Sequence, residues 1–151
     1  MKTYSLAESL AALHTFEDLS PEQLDFIAGC ARNVHFGEDA FLLLEGSAAD
    51  VFFVIREGSV ALELSAANHV VTIQTLGPGD VLGWSWLIPP YTCHYDARAL
   101  TPVSAVAFDA VCVRKKCEDD PVFGYEIYKR FSRIIARRMM ATCMQLIDVY
   151  E

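Results

Sequence analysis

The stretch that decides the fold runs from Leu76 to Leu100 and reads LGPGDVLGWSWLIPPYTCHYDARAL. Its first half is rich in residues that predict tight turns and allow close approach of a backbone or ligand: Gly77, Pro78, Gly79 and Gly83. Since Pro89 stops a helix, residues Trp84–Ile88 can form only about one helical turn. A helical turn that follows glycine presents unpaired N–H groups, so this stretch predicts a ligand or anion site.

The residues after Pro90 alternate with period two. One face takes Cys93, Tyr95, Ala97 and Ala99, and the other takes His94, Asp96 and Arg98. This alternation predicts a half-buried strand in which Cys93 points inward and Arg98 points outward.

Composition indicates one packed domain, residues 1–151, because 53% of the chain is hydrophobic and 21% is charged. The net charge of −8 argues against direct contact with nucleic acid, which needs clustered Lys and Arg. No apolar run is long enough for a membrane span, so we expect no membrane contact. The five cysteines form no CxxC pair and indicate reduced thiols in a cytoplasmic protein.

The pattern divides the chain into three regions. Residues 1–31 predict N-terminal helices, with Ser20, Pro21 and Gln23 forming a strong helix start. Residues 32–108 read as short strands separated by turns, which indicates a sandwich, a jelly roll or a barrel. Residues 109–151 predict C-terminal helices.

The last helix is predicted to run from Pro121 to Tyr150. At about 1.5 Å per residue it would exceed 40 Å, which is longer than a domain of this size is wide. Its C-terminal half is apolar almost all round, so one side alone cannot bury it. We expect a second copy of the chain to cover the apolar surface of this helix, so that the protein is a homodimer through it.

Several motifs, taken in their order and spacing, resemble the cyclic nucleotide-binding domain superfamily, and in particular the sensor domain of catabolite activator-type (Crp/Fnr-like) regulators. The motifs are Leu19–Leu24 (LSPEQL), Glu45–Asp50 (EGSAAD), Phe53–Ile55 (FVI), Gly58–Val60 (GSV), Gly77–Gly83 (GPGDVLG) and Ala97–Ala99 (ARA). The resemblance implies an α+β, mainly β fold: a double-stranded β-helix jelly roll (β-roll) between N-terminal helices and a long C-terminal dimer helix. It also implies a phosphate-binding cassette within residues 77–99.

The chain departs from that family where the cyclic nucleotide would be held. The family's Glu for the ribose hydroxyl is replaced by Trp84, and Thr92-Cys93-His94 occupies the neighbourhood of its phosphate-binding Arg. The resemblance therefore implies a degenerate cassette. The family's DNA-reading helix-turn-helix, which normally follows the long helix, is not expected because the chain ends at Glu151.

The candidate ligand-binding residues are Gly83, Trp84, Ser85, Trp86, Thr92, Cys93, His94, Thr142 and Cys143. Trp84 and Trp86 either stack on a ligand or plug the vacated cavity. Cys93 is either a ligand contact, a redox thiol or a small buried hydrophobe. Thr142 and Cys143 align with polar positions through which the family's long helix touches the base, and an ordinary helix-interface role fits Thr142 equally well.

Three functions from different classes follow from these observations. The first is a non-enzymatic regulatory or sensor module that binds a different small ligand or none, needs no cofactor and acts on a downstream protein. The second is a genuine cAMP or cGMP receptor with unconventional contacts. The third, a cupin-type enzyme, is disfavoured because the four histidines are dispersed, so that we expect neither a metal site nor catalytic residues.

Overall fold

The computed structural model describes residues 6–150, and the predicted helical region that starts at residue 1 lies partly outside them. The N-terminal elements are α1 (Leu6–Ala11), a 3₁₀ helix (His14–Phe16) and α2 (Pro21–Gly29). Eight strands follow: β1 (Ala31–Phe36), β2 (Phe41–Leu43), β3 (Val51–Glu57), β4 (Val60–Ala66), β5 (His69–Leu76), β6 (Val81–Leu82), β7 (Asp96–Ala99) and β8 (Val103–Asp109). A second 3₁₀ helix (Ser85–Leu87) lies between β6 and β7, and α3 (Ala110–Asp119) and α4 (Pro121–Tyr150) close the chain.

The strands form two four-stranded antiparallel sheets. One has the order β1-β8-β3-β6 and the other has the order β2-β7-β4-β5. Except for the hairpin of β4 and β5, strands that are neighbours in a sheet are distant in sequence: β3 pairs with β8, placing Phe53 opposite Ala107, and β4 pairs with β7, placing Leu62 opposite Ala97. Together with the helices at both ends, this topology confirms the predicted α+β jelly roll.

Aromatic side chains join the β-roll to the helices. The Phe52 ring stacks between Phe108, with ring centroids 4.6 Å apart, and Trp86, with centroids 4.7 Å apart. Phe131 of α4 meets both Phe52 and Trp86 edge-on, and all four side chains are almost fully buried. Buried aromatic pairs of this geometry contribute beyond their area, so the cassette segment and α4 share one core with the sheets.

The helix ends follow the local sequence. Ser20 accepts a hydrogen bond from the Gln23 backbone N–H while the Gln23 side chain accepts one from the Ser20 backbone, which is the predicted capping box of α2. Asp109 caps α3 by accepting from the Cys112 N–H at 3.1 Å. These caps position the helices that flank the roll.

The long helix α4 has the predicted bounds, Pro121–Tyr150, and at about 1.5 Å per residue it extends about 45 Å. Only its first three turns are buried in the core, through Phe123, Gly124, Ile127 and Phe131. Its C-terminal half exposes large apolar side chains: Met139, Met140, Met144, Leu146, Ile147, Val149 and Tyr150. Among residues 6–150, no helix combines the length and apolarity that crossing a membrane requires.

Candidate functional site

The cassette segment begins with a tight turn that hydrogen bonds hold in place. The Gly77 N–H donates to Asp80 Oδ2 at 2.8 Å, and the Gly79 N–H donates to the Ile55 carbonyl at 2.7 Å. After β6, Gly83 has a φ of +101°, and a Cβ there would lie 3.4 Å from Phe52 Cβ. Glycine is favoured at position 83 because side chains rarely adopt this positive φ, whereas the distance to Phe52 is an ordinary contact.

The predicted helical turn after Gly83 is the 3₁₀ helix Ser85–Leu87, and two other helices hold it. Arg114 of α3 donates from Nη1 to the Trp86 carbonyl at 2.7 Å, and its guanidinium lies 4.0 Å from the Tyr91 ring centroid. The Tyr128 hydroxyl of α4 donates to the Leu87 carbonyl at 3.3 Å. The carbonyl groups of this short helix are thus bound to the protein itself.

The strand after the prolines is shorter than predicted, while its inward and outward pattern is confirmed. β7 covers only Asp96–Ala99, and Thr92 makes an isolated bridge to Ala48. Cys93 makes two backbone hydrogen bonds to the segment before β3. Its N–H donates to the Ser47 carbonyl, and its carbonyl accepts from the Gly46 N–H. The Glu45 N–H donates a hydrogen bond to Asp96 Oδ1 at 2.8 Å instead of to a backbone carbonyl of a paired strand. Regular strand pairing therefore begins only at Asp96.

The side chains alternate as expected around Cys93. Cys93 and Tyr95 are buried and His94 is exposed. Arg98 leaves the interior and binds Glu63 on the neighbouring strand, with Arg98 Nε 3.0 Å from Glu63 Oε1, and Asp39, with Arg98 Nη1 2.7 Å from Asp39 Oδ1. Its guanidinium is therefore engaged away from the cassette interior.

The cavity inside the cassette is almost filled. It measures about 10 Å³, which is room for about one water molecule. Its walls bring together five of the nine candidate residues: Gly83, Ser85, Trp86, Cys93 and His94. The remaining wall residues are Leu43, Ala49, Val51 and Tyr95. Within the described part of the chain, neither Lys nor Arg lines this cavity.

The two tryptophans have different environments. Trp86 is completely buried in the aromatic core, and its Nε1 finds no hydrogen-bond partner among the described residues. Trp84 is only partly buried and stacks on His94, with ring centroids 5.4 Å apart. Trp86 occupies interior volume, whereas Trp84 covers the outside of the cassette together with His94.

Burial decides the chemistry available to Cys93. Removal from solvent raises the pKa of its thiol above the ordinary value, although a hydrogen bond with Ser47 acts in the opposite sense. A thiol with a raised pKa is uncharged at neutral pH and is a weak nucleophile. Cys93, which lies near the position of the family's phosphate-binding Arg, is therefore uncharged.

The two candidate residues on α4 do not reach the cassette cavity. The Thr142 hydroxyl donates to the Arg138 carbonyl one turn earlier at 2.9 Å, and Gln74 Nε2 of β5 lies 3.5 Å from Thr142 Oγ1. Cys143 is partly exposed and lies on the neighbouring face of the helix. The structure thus brings five of the seven cassette candidates together around one cavity and leaves Thr142 at the contact of α4 with β5.

Arg138 is a residue of this region that the site prediction omitted. Burial lowers the pKa of its guanidinium, and burial also raises the pKa of the Tyr95 hydroxyl that faces it. The Arg138 guanidinium interacts with the Tyr95 hydroxyl, and the charge of the Asp80 carboxylate also acts on it. The signal was present in the sequence, because Arg138 falls on the same helical stripe as Ile127, Phe131 and Ile134.

No group of three or more His, Cys, Asp and Glu side chains within residues 6–150 is arranged to hold a metal ion. His14 pairs with Glu17 at 2.9 Å, and His35 Nδ1 lies 3.0 Å from Ser104 Oγ, so both imidazoles serve local contacts.

Replacement of Trp86 by alanine is expected to destabilise the protein by about 3–5 kcal/mol, because it removes a fully buried ring from an aromatic stack and leaves a cavity. Trp84→Ala is the matched control and should cost only about 1–2 kcal/mol, since Trp84 is partly exposed. Urea unfolding followed by circular dichroism measures both. Equal losses would contradict the assignment of different roles to the two rings.

Comparison with known proteins adds to this geometry. The family model described as "Cyclic nucleotide-binding domain" matches residues 33–120, more than half of the chain. A crystal structure of a putative cyclic nucleotide-binding protein from Geobacter metallireducens is similar, with a TM-score of 0.82 and 28% identity over 88% of this chain and 97% of that one. The sensor domain of a transcriptional regulator from Pseudomonas aeruginosa gives a TM-score of 0.70 at 18% identity, covering 87% and 89% of the two chains. The catabolite activator protein of Thermus thermophilus gives 0.69 at 18% identity, covering 90% of this chain and 62% of that one.

Proposed function

Since the chain belongs to the cyclic nucleotide-binding domain family, we propose that it is a non-enzymatic regulatory module of that family whose cassette does not hold a cyclic nucleotide. In this proposal the chain is a homodimer through α4, and its output passes to a downstream protein. The family membership supports the regulatory role, and the state of the cassette supports the loss of nucleotide binding.

The observation that carries the proposal is the filled cassette. Small-molecule pockets usually have a volume of about 300–1,000 Å³, and the cavity behind Gly83 and Cys93 has about 10 Å³. The Trp86 ring and its aromatic neighbours occupy the interior and belong to the core that stabilises the fold. Opening this space for a nucleotide would require the core to be rebuilt.

The chemistry of the cassette supports the same conclusion. A buried phosphate is stabilised by charge-assisted hydrogen bonds of about 1.5–3 kcal/mol each. The cation closest in sequence, Arg98, is engaged by Glu63 and Asp39, and Cys93 stands uncharged at the anchor position. Trp84 provides no acceptor for a ribose hydroxyl. A cyclic nucleotide would lose its two principal partners here.

The dimer proposal rests on the distribution of side chains around α4. At about 100° per residue, the exposed side chains of Met140 and Ile147 lie roughly opposite the buried side chains of Ile127 and Phe131. An exposed apolar face of this size on a soluble domain is typical of an interaction site. A two-fold partner presents the same face and covers it in full.

Hydrogen exchange measured with and without millimolar cAMP tests the regulatory proposal directly. We expect no change in exchange for residues 79–99 or for Gln145–Tyr150, because the nucleotide cannot enter the cassette. A ligand can shift α4 only through a difference in its affinity for two arrangements of the helix. Protection of both segments by cAMP would instead identify a genuine cyclic nucleotide receptor with unconventional contacts.

A further inference from the structure

A second and much larger space lies outside the cassette, between α4 and the edge of the β-roll. It measures about 660 Å³, within the range of small-molecule sites. Its walls are residues 14–18 after α1, residues 74–81 at the turn between β5 and β6, and one side of α4 from Glu126 to Gln145. We call this space the α4 groove.

The wall that α4 contributes is strongly cationic. It carries five of the twelve Lys and Arg residues of a chain whose net charge is −8; they are Lys129, Arg130, Arg133, Arg137 and Arg138. Such a concentration does not follow from the composition of the chain. A cleft wall that carries an excess of one sign of charge attracts ligands of the opposite sign.

Carboxylates of the protein neutralise only part of this wall. Glu126 pairs with Lys129 and Arg130, each at 3.4 Å, and the Glu17 carboxylate is engaged by His14 at 2.9 Å. Asp80 accepts a hydrogen bond from the Gly77 N–H at the opposite wall, and Asp18 also lines the groove. Within residues 6–150, no carboxylate lies within 4.0 Å of the side-chain nitrogens of Arg133, Arg137 or Arg138.

One buried donor atom of these arginines is unsatisfied. Arg130 Nε is buried without a hydrogen-bond partner among the described residues, whereas the Arg138 guanidinium interacts with the Tyr95 hydroxyl. Arg130 uses Nη2 to donate to the Glu17 carbonyl at 2.6 Å, so its head group is held at the end of the groove. Buried donors normally have partners, and an unsatisfied one costs free energy. A ligand in the groove would supply acceptors.

The spacing of the three unpaired arginines defines the shape of a suitable ligand. Arg133 and Arg137 are separated by about 6 Å along the helix axis, and Arg138 follows by about 1.5 Å on the side of the core. Guanidinium groups recognise phosphate and carboxylate through paired hydrogen bonds. Ile134, Leu76 and Val81 add apolar surface between the charges.

We propose that the α4 groove is a binding site for a small organic anion that carries two or more phosphate or carboxylate groups. The anionic groups contact Arg133, Arg137 and Arg138, and the carbon skeleton lies against Ile134 and Leu76. The site is separate from the cassette, and the proposal holds whether or not the cassette binds a nucleotide.

Calorimetric titration with inorganic pyrophosphate and with citrate, at constant ionic strength, tests this site. Constant ionic strength is essential because salt screens exposed charges. We expect saturable binding of at least one of the two probes by the full chain. The double variant R133Q/R137Q should bind about a hundredfold more weakly, since each arginine contributes about a factor of ten through charge-assisted bonds.

The matched control is R32Q, which removes an exposed arginine of β1 far from the groove and should change the affinity less than about twofold. Arg133 and Arg137 are both exposed, so their replacement by glutamine should leave the fold intact, and circular dichroism checks this. Absence of saturable binding with both probes would overturn the proposal. The proposal would also be overturned if R133Q/R137Q bound the probe as tightly as the unaltered protein, or if R133Q/R137Q and R32Q lost the same amount of affinity.

Addition of cAMP separates this site from the cassette. Pyrophosphate or citrate binding should be unchanged by millimolar cAMP. Displacement of the probe by cAMP would overturn the assignment of a separate site. The cassette proposal is tested independently by titrating cAMP into R133Q/R137Q. Saturable heat in that titration would contradict the cassette proposal without bearing on the groove.

Discussion

If the proposed dimer forms through α4, replacement of Met140 and Ile147 by glutamate is expected to leave the protein monomeric. Both side chains are exposed and lie on one face of α4, with Met140 60% and Ile147 49% exposed. In a two-fold interface each carboxylate occurs twice and would be buried among apolar side chains without a cation. Leaving an uncompensated charge in an interface costs about 3–5 kcal/mol, so the dimer should dissociate at least about a hundredfold more readily.

Light scattering coupled to size exclusion, at micromolar concentration, measures this change. The matched control carries glutamate at Ala141 and Gln145, which are exposed on the groove side of the same helix. That control should remain a dimer. A monomeric unaltered protein, or a dimer that survives both changes at Met140 and Ile147, would contradict the proposed interface.

Restoring the missing anchors should give cAMP affinity only when both are present. Trp84→Glu supplies the ribose acceptor and removes bulk from the outside of the cassette, but it leaves the phosphate without a cation. Cys93→Arg supplies that cation, but it places a charge where the wall is closed and Cys93 is 6% exposed. The two substitutions should therefore be strongly non-additive, as neighbouring sites usually are.

Titration of cAMP into both single variants and the double variant, with Trp86 kept or replaced by a smaller side chain, followed by calorimetry, measures this coupling. We expect no binding by the single variants or by the double variant that keeps Trp86, because the Trp86 ring still fills the interior, and a gain of at least about tenfold only when a smaller side chain also replaces Trp86 and the protein stays folded. Trp84→Phe with Cys93→Ser is the matched control, because it changes the same positions without adding a charge. Binding of cAMP by a folded double variant that keeps Trp86 would contradict the claim that the Trp86 ring closes the cassette.

Much of the fold could be predicted because its signals are local. The capping residues Ser20 and Gln23 predict the start of α2. The spacing of apolar residues changes from period two to a helical period where the strands end and α3 begins. Pro121 marks the start of α4, and the density of apolar side chains beyond Met139 indicates an uncovered helix. Alternation around Cys93 correctly placed Cys93 and Tyr95 inside and His94 outside.

The parts that could not be predicted depend on contacts between distant segments. The strand of the cassette starts at Asp96 because Asp96 binds the Glu45 backbone, which the alternation cannot show. Cys30 Sγ and Cys112 Sγ lie 3.0 Å apart, although 82 residues separate them, and desolvation with this contact raises the pKa of Cys30 to about 12. No spacing rule for neighbouring cysteines detects such a pair.

The α4 groove is another product of tertiary structure. Its arginines look like a solvated helix face in the sequence, where Arg137 and Arg138 are simply adjacent. The packing of α4 against β5 and Tyr95 half-buries Arg138, while Arg137 stays exposed. The cassette cavity likewise depends on the stack of Trp86, Phe52 and Phe131, whose members lie far apart in the chain.

The most direct test of the filled cassette is a calorimetric titration of cAMP and of cGMP into the unaltered protein. The expected result is the absence of saturable heat for either nucleotide, which corresponds to a dissociation constant weaker than about 1 mM. Saturable micromolar binding of either nucleotide would contradict the filled cassette and would require the aromatic core around Trp86 to open.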